Sequence, residues 1–485
     1  MVETRVFASR RFTSDDQIRF ARVSGDWNPM HTDVVAARRT AAGAPVVHGV
    51  HLLLWMADRL GSDLLLEGGV VTVVAHFSKW VYVGDLVELV LVDHGHDEVR
   101  TNLVVNGLVV TTANFGLGER ERGVAVESTN EILGHASVGG RVQAAEIDFG
   151  EVGNQSGFVD FASTVQSVAG MFPGAVSWLG EIESAGLACS TRLVGMVCPG
   201  LHSIFAGLRV EFSDGASRAL GISYEVVKVD ERFRSVTMKV SGAGLSGTLN
   251  TFSRAPPVLQ AAIASISELV ERKEFAGSRA LIVGGSRGLG EFCAKVIAAG
   301  GGKVTITYAV GKTDAERVAN EIRAWGGECD VLAYDVLRQG ESQMRLLTEA
   351  PTTLYYFATA MISKPRSRKL DFGLMEMFTE FYVKGFYQAC DAHKAVFGIP
   401  LRVFYPSTVF VDSCPEGMAE YAMVKAAGEV MCNDMRHICA GVEVLVRRLP
   451  RMLTDQTASI VPIKRVSMTE VMLPIVREME AGTVE

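Results

Sequence analysis

The stretch RALIVGGSRGLGEFCAKVIAAGGGKVTITYAV, residues 279–310, constrains the fold of this chain more than any other. An apolar β-branched run leads into a glycine-rich turn, then an amphipathic helical pattern, then a second apolar run. That order specifies a βαβ unit, two parallel strands joined by a crossover helix. The later runs CDVLAYDV, TTLYYFAT, LRVFYPSTVF and VEVLVRRLP alternate with helical patterns and extend the unit into a doubly wound parallel sheet.

The residues before this unit read differently, and a chain of 485 residues is too long for one core. Residues 1–120 pass from a polar start to an apolar helical stretch, GVHLLLWMADRLG, and then to alternating runs such as VVTVVAHFSKWVYV and DLVELVLVDH. A helix followed by an antiparallel meander is an α+β pattern. The charged segment Gly118–Glu131 reads as a linker, after which the pattern recurs at an offset of roughly 150 residues. In that repeat Pro199-Gly200-Leu201-His202 stands where His48-Gly49-Val50-His51 stood. The expected organisation is therefore 1–120, a second copy at 132–255, a linker helix at 256–276 after Pro256-Pro257, and the parallel-sheet domain at 277–485.

Composition narrows the class of partner. A formal charge of −8 argues against nucleic acid or an anionic membrane surface as the main partner. The eight cysteines show no CxxC spacing, as expected of a reduced, cytoplasmic protein. No apolar run approaches the about 18 residues of a membrane span, and the N-terminus lacks a signal-like apolar segment.

Two constellations carry chemistry. In SGDWNPMH, Ser24–His31, the carboxylate of Asp26 and the imidazole of His31 are the minimum needed to orient a water, take its proton and return one to a substrate carbon. Asn28 is placed to orient that water or Asp26. Gly49 opens the apolar helix, where exposed N–H groups suit an oxygen gaining negative charge. Taken singly, Asp26, Asn28 and His31 suit a helix cap or a turn equally well. His48, His51 and His202 read as packed histidines. The segment DHGHDE, residues 93–98, reads as a polar hairpin turn, and no metal centre is expected.

The set Asp26, Asn28, Pro29, His31, His48 and Gly49 resembles the Asp-x-Asn-Pro-x-His motif and His-Gly pair of the MaoC-like (R)-specific enoyl-CoA hydratases, a hot-dog family. The resemblance implies a double hot-dog fold over residues 1–255, with Asp26 and His31 as the catalytic dyad, Asn28 as their positioning partner and Gly49 as the oxyanion donor. The copy near Ala162–Ala175 lacks Asp, Asn and His, so it would support the acyl pocket only.

The second constellation begins with Gly284, Gly288 and Gly290, which permit a tight turn and close approach of a pyrophosphate to a helix start. Tyr421 and Lys425 lie four apart on a helical pattern and face one way, so the lysine charge would lower the phenol pKa. Ser407 and Thr408 end a strand with hydroxyls suited to a carbonyl oxygen. These elements resemble the short-chain dehydrogenase/reductases, a Rossmann-type family. That resemblance implies cofactor contacts at Gly284, Ser286, Arg287, Gly288, Leu289, Gly290, Asp335, Val336, Tyr421, Lys425 and Thr454, with Ser407 or Thr408 as the carbonyl-binding hydroxyl. Arg287 is suited to a 2′-phosphate, and residues 308–312 offer no acid for a free 2′-hydroxyl, so NADPH is the expected cofactor. The family pattern is broken by Val283, by Tyr356–Thr359, by Arg451 and by Tyr382, which stands where a relay asparagine is usual.

Together the resemblances imply a bifunctional homodimeric enzyme acting on acyl-CoA or acyl-carrier-protein thioesters, a hydratase or dehydratase joined to an NADPH-dependent 3-ketoacyl reductase. Two alternatives stay open: a hydratase with a catalytically silent nucleotide-binding domain, and a non-enzymatic thioester and nucleotide-binding module.

Overall fold

The computed structural model describes residues 6–64, 68–120, 143–213, 220–242, 244–362, 369–458 and 466–481. The chain divides into two compact units, one running to Pro256 and the other from Pro257 to Ala458 together with the C-terminal helix Met468–Glu480. Most of the expected linker at Gly118–Glu131 lies outside the described residues.

The first unit is one ten-stranded sheet made of two equivalent halves. Its first half contains β1 (Val6–Arg11), β2 (Gly69–Phe77), β3 (Leu86–His94), β4 (Glu98–Val105) and β5 (Leu108–Gly118); its second contains β6 (Ser156–Asp160), β7 (Ser203–Phe212), β8 (Gly221–Asp230), β9 (Ser235–Gly242) and β10 (Leu245–Ser253). The spatial order is β1-β3-β4-β5-β2-β7-β10-β9-β8-β6, so each half repeats the same connectivity and the two meet along β2 and β7. That seam is antiparallel, with Thr72 opposite Glu211 and His76 opposite Gly207. Strands β4 and β5 turn at Asn106-Gly107, both with positive φ, the conformation a tight hairpin between right-twisted strands requires. Each half packs a long helix against its sheet, Gly49–Asp63 in the first and Glu181–Arg192 in the second. Leu52, Leu53, Met56, Leu60, Leu187 and Leu193 share one buried core with strand residues from both halves. This is a double hot-dog fold.

The repeat register differs from the one expected. Pro199–His202 follows the second helix and leads into β7, whereas His48 and Gly49 begin the first helix. The topological counterpart of Gly49 is the start of the second helix at Gly180-Glu181. A short apolar Gly-x-His similarity misled the register, because chain connectivity and not local composition sets the equivalence.

In the second unit β11 (Arg279–Val283), β12 (Lys303–Tyr308), β13 (Glu328–Ala333), β14 (Thr353–Tyr356), β15 (Leu401–Thr408) and β16 (Val442–Leu449) form a parallel sheet ordered β13-β12-β11-β14-β15-β16. That is the 3-2-1-4-5-6 order of a doubly wound dinucleotide fold. The expected linker helix is reduced to Ile263–Ile266 and a following 3-10 turn. Residues 258–262 are held outside helical geometry, with the Val258 amide donating to Asp455. Ile263, Ile266 and Phe275 are the buried core residues of the expected 256–276 helix, and one helical turn suffices to bury the first two.

Candidate functional site

The first constellation folds as two short helical pieces. Helix Ser14–Ser24 ends at Gly25, whose φ of +77° releases the chain into the Asp26 loop. Asn28 then caps the turn Pro29–Thr32 by accepting from the Met30 amide, with Pro29 at the first helical position. This brings Asp26, His31 and His48 together, with ligand-type atoms of all three within 4.8 Å. The His31 and His48 rings stack with centroids 3.8 Å apart. His31 Nδ1 pairs with the Val46 carbonyl at 2.8 Å, leaving Nε2 for other partners. The His48 nitrogens face the Gln17 Oε1 atom and the Asp26 carbonyl, a structural engagement that sets His48 apart from a free metal ligand. Asp93–Glu98 forms a hairpin tip where Asp93 pairs with Arg100.

Burial shapes the ionisation of this group. It pushes the Asp26 carboxyl above its ordinary value, opposed by His31, by the Thr191 hydroxyl and by the Asn28 amide. It lowers His31, which Asp26 counteracts, and it lowers His48 well below the usual imidazole range. A carboxyl raised and an imidazole lowered toward each other are suited to sharing a proton with a bound water.

Asn28 reaches Asp26 through its backbone and not through its side chain. Its backbone N–H donates to Asp26 Oδ1 at 3.0 Å, while its side-chain amide donates to the Gly195 carbonyl at 3.0 Å. The side chain therefore anchors the loop to the second half, and the backbone orients Asp26. Gly49 begins its helix with an N–H that has no intrahelical acceptor, and no side chain caps that end. A Cβ at Gly49 would lie 2.9 Å from the Phe77 ring, so the glycine also permits packing of the helix start on β2. His51 lies two residues further on, boxed by Phe12, Phe20 and Phe172 with neither ring nitrogen hydrogen-bonded, and burial lowers it to about 3. His202 pairs with Glu146 in the turn before β7 and so does not match His51 on a helix.

In the second unit the glycine turn joins β11 to helix Gly288–Ala299. Gly284 has φ of +83° and Gly288 +60°. A Cβ on Gly284 would meet the Phe357 carbonyl carbon at 2.8 Å, and one on Gly290 would meet the Gly284 oxygen at 2.3 Å. The helix N-terminus has no side-chain cap and Ser286 is buried beside it. A bare, glycine-lined helix start of this kind fits a dinucleotide pyrophosphate. Leu289 packs against the core on one face of the sheet, Val336 is buried in the core on the other, and Asp335 is held by Gln343 and accepts from the Leu337 amide. Thr454 lies over Gly288 and pairs with Thr457.

Arg287 does not stand free for a 2′-phosphate. Its guanidinium is 10% exposed and is bound to Asp455, to Asp314 at 3.3 Å and to the Val258 carbonyl. Two carboxylates, Asp314 in the first turn of helix Lys312–Trp325 and Asp455 in the 3-10 turn Asp455–Thr457, outcompete solvent for this cation.

Helix Ala419–Ile438 carries Tyr421 and Lys425 on one face. Of the two hydroxyls, Thr408 is the one near enough to Tyr421 to favour its ionised form; Ser407 donates instead to Glu429 at 2.5 Å. The expected acidified phenol is absent from the chain alone, because burial pushes Tyr421 up to about 12 and lowers Lys425 to about 7. Lys425 Nζ donates to the Pro406 carbonyl at 2.6 Å and lies 4.1 Å from the Tyr382 ring centroid but 5.9 Å from that of Tyr421. Tyr382, on a π-turn of its helix, shares a 2.6 Å hydrogen bond with Thr359.

One unit is a duplicated hot-dog sheet that gathers Asp26, His31 and His48 near a helix start, and the other is a Rossmann-type unit with a glycine turn at an uncapped helix start. Residues 2–114 match the family described as MaoC like domain, and residues 278–354 match the short chain dehydrogenase family, so the chain joins a MaoC-like region to a short-chain dehydrogenase region. Over 83 residues it is 39% identical to the mitochondrial 3-hydroxyacyl-(acyl-carrier-protein) dehydratase of Arabidopsis thaliana, covering 17% of this chain and 46% of that protein. Over 78 residues it is 36% identical to the (R)-specific enoyl-CoA hydratase of Aeromonas caviae, covering 16% and 58%. The chain thus spans about half the length of the curated relatives it matches. Among solved structures, a short-chain dehydrogenase from Burkholderia cenocepacia in complex with NADP is 21% identical, covering 42% of this chain and 90% of that one, with a TM-score of 0.37. A short-chain dehydrogenase/reductase from Serratia marcescens is 18% identical over 43% and 91%, with a TM-score of 0.38. Among the described residues no helix is long and apolar enough to cross a membrane.

Proposed function

We propose that the first unit adds water across a trans-2-enoyl thioester to give a (3R)-hydroxyacyl thioester, or runs that reaction in reverse. The observation that carries this reading is the pairing of buried Asp26 with half-buried His31 near the uncapped helix start at Gly49. Asp26 and His31 hold the water; its oxygen bonds to Cβ and a proton passes to Cα, while the Gly49 N–H faces the thioester oxygen as negative charge gathers there. The relatives named as hydratases and dehydratases support this assignment. Whether the acyl carrier is coenzyme A or a carrier protein follows from which thioester is turned over.

The second unit, in the same reading, reduces a 3-ketoacyl thioester. A nicotinamide dinucleotide bound at the glycine turn would supply the hydride. Tyr421 delivers the proton to the carbonyl oxygen, Thr408 holds that oxygen and the phenol, and Lys425 approaches Tyr421 from the same helix face. NADPH remains the assigned donor because residues 308–312 contain no acid to receive a free ribose 2′-hydroxyl.

A second reading is favoured by Tyr382. Its ring lies against Lys425 Nζ and Ser407 is turned to Glu429, an arrangement suited to a unit that binds nucleotide without turning it over. Purified chain is assayed for hydration of a short trans-2-enoyl-CoA and for NADPH oxidation with a 3-ketoacyl-CoA. Asp26→Asn or His31→Ala is expected to abolish hydration alone. Hydration surviving both changes rejects the first assignment, and NADPH binding without oxidation selects the silent second unit.

A further inference from the structure

We propose that Thr191 and Gly195, both from the second hot-dog half, are positioning residues for Asp26, so that the half lacking the Asp-Asn-His motif completes the hydration site. This rests on the reading of Asp26 given above. Thr191 Oγ1 donates to Asp26 Oδ2 at 2.7 Å, and both residues are buried, at 4% and 1% exposure. Since the Asn28 amide takes Oδ1, each carboxylate oxygen has one fixed donor, one from each half. Two residues after Thr191 the helix widens to i→i+5 bonding over Leu193–Val197, with the Cys198 amide donating to the Leu193 carbonyl. Such wide turns are frequent at functional sites.

Gly195 lies in that wide turn. A Cβ there would fall 2.4 Å from Asp26 Oδ1 and 2.7 Å from Oδ2, so only glycine lets the carboxylate sit where it does. The Gly195 carbonyl accepts from the Asn28 side chain, fixing the loop from the other side. Three contacts therefore converge on one carboxylate loop from a segment more than 160 residues away. The titratable and charged groups around Asp26 are His31 and His48 from the first half and Arg192, packed at Gly25, from the second; Arg254 acts on His31. Thr191 is the neutral donor among them, and its loss disfavours the ionised carboxylate without removing a charge.

The test is the pH dependence of enoyl-CoA hydration by the full chain. Thr191→Val is expected to lower kcat about tenfold or more with KM nearly unchanged, and to move the acid limb of the profile upward by about one pH unit, the size expected for one hydrogen bond to a charged group. Thr191→Ser restores both. Should Thr191→Val fail to fold, Thr191→Ala and Thr191→Ser form the same comparison, since only serine keeps the donor. An unchanged acid limb in the valine or alanine variant, in an enzyme that Asp26→Asn inactivates, overturns the proposal. Hydration that persists in Asp26→Asn overturns the reading of Asp26 and this inference with it.

Discussion

The guanidinium of Arg287 and the carboxylate of Asp455 meet through two hydrogen bonds, Nε to Oδ2 at 2.6 Å and Nη2 to Oδ1 at 3.0 Å. The pair ties the glycine turn to the loop that carries Thr454. Planar bidentate pairing of this kind is the strongest form of carboxylate recognition available to arginine. Asp455→Asn leaves a largely buried cation with one acceptor fewer, and is expected to destabilise the second unit by about 3 kcal/mol. Urea unfolding followed through the second transition measures it. The same variant releases Arg287, so the ratio of NADPH to NADH affinity is expected to rise; a fall would place the 2′-phosphate elsewhere.

Gly284→Ala offers a sharper test of the nucleotide site. The φ of +83° disfavours any side chain, and the new Cβ would press on the backbone of Phe357 and Ala358, which cannot rotate away. Loss of measurable dinucleotide binding by calorimetric titration is expected, while hydration by the first unit is retained.

Lys425 is buried and lowered to about 7, against an ordinary value near 10.5. Between these values the unfolded chain holds a proton that the folded chain has released, so folding stability rises with pH across this window. Lys425→Met removes the dependence. Nucleotide-free chain carrying it is expected to be more stable than the parent at pH 7, by on the order of 1 kcal/mol, with the gap closing toward pH 10. Thermal midpoints at several pH values check the sign.

His51 shows the same physics in a lower pH window. Its folded value of about 3 lies below the ordinary 6.5, so its neutral form is favoured by folding and stability is lost as pH falls below 6.5. The loss approaches about 1.4 kcal/mol per pH unit where the unfolded ring is charged and the folded ring is not. His51→Leu retains an apolar side chain among Phe12, Phe20 and Phe172 and removes two unpartnered nitrogens. Its unfolding free energy is expected to fall less steeply between pH 6.5 and pH 4 than that of the parent.

The legible parts of this chain were those whose chemistry is local. Asp26, Asn28 and His31 lie within six residues of each other, and Gly284, Gly288 and Gly290 within seven, so turn geometry alone brings each set together. The alternation of strands likewise announced both sheets. Thr191 gave no such signal, being an ordinary hydroxyl on an apolar helix that matters only because β2 meets β7. Gly195 left a faint one, an isolated glycine in a helical stretch. Arg287 was misread because its acidic partners, Asp314 and Asp455, are 27 and 168 residues away. The linker segment at 258–262 carried apolar helical spacing, yet hydrogen bonds from the Val258 amide to Asp455, from Arg287 to the Val258 carbonyl and from Lys295 to the Ala261 carbonyl hold it outside helical geometry.

The β2–β7 seam has an evolutionary corollary. Two identical copies paired by symmetry must accept every mutation twice, once on each side of their axis. Here the paired copies are halves of one chain, so each position mutates alone. Thr191 and Gly195 could be shaped to fit Asp26 without imposing the same residues on the helix that begins at Gly49. Halves joined in one chain are free to divide labour in a way that a symmetric pair is not.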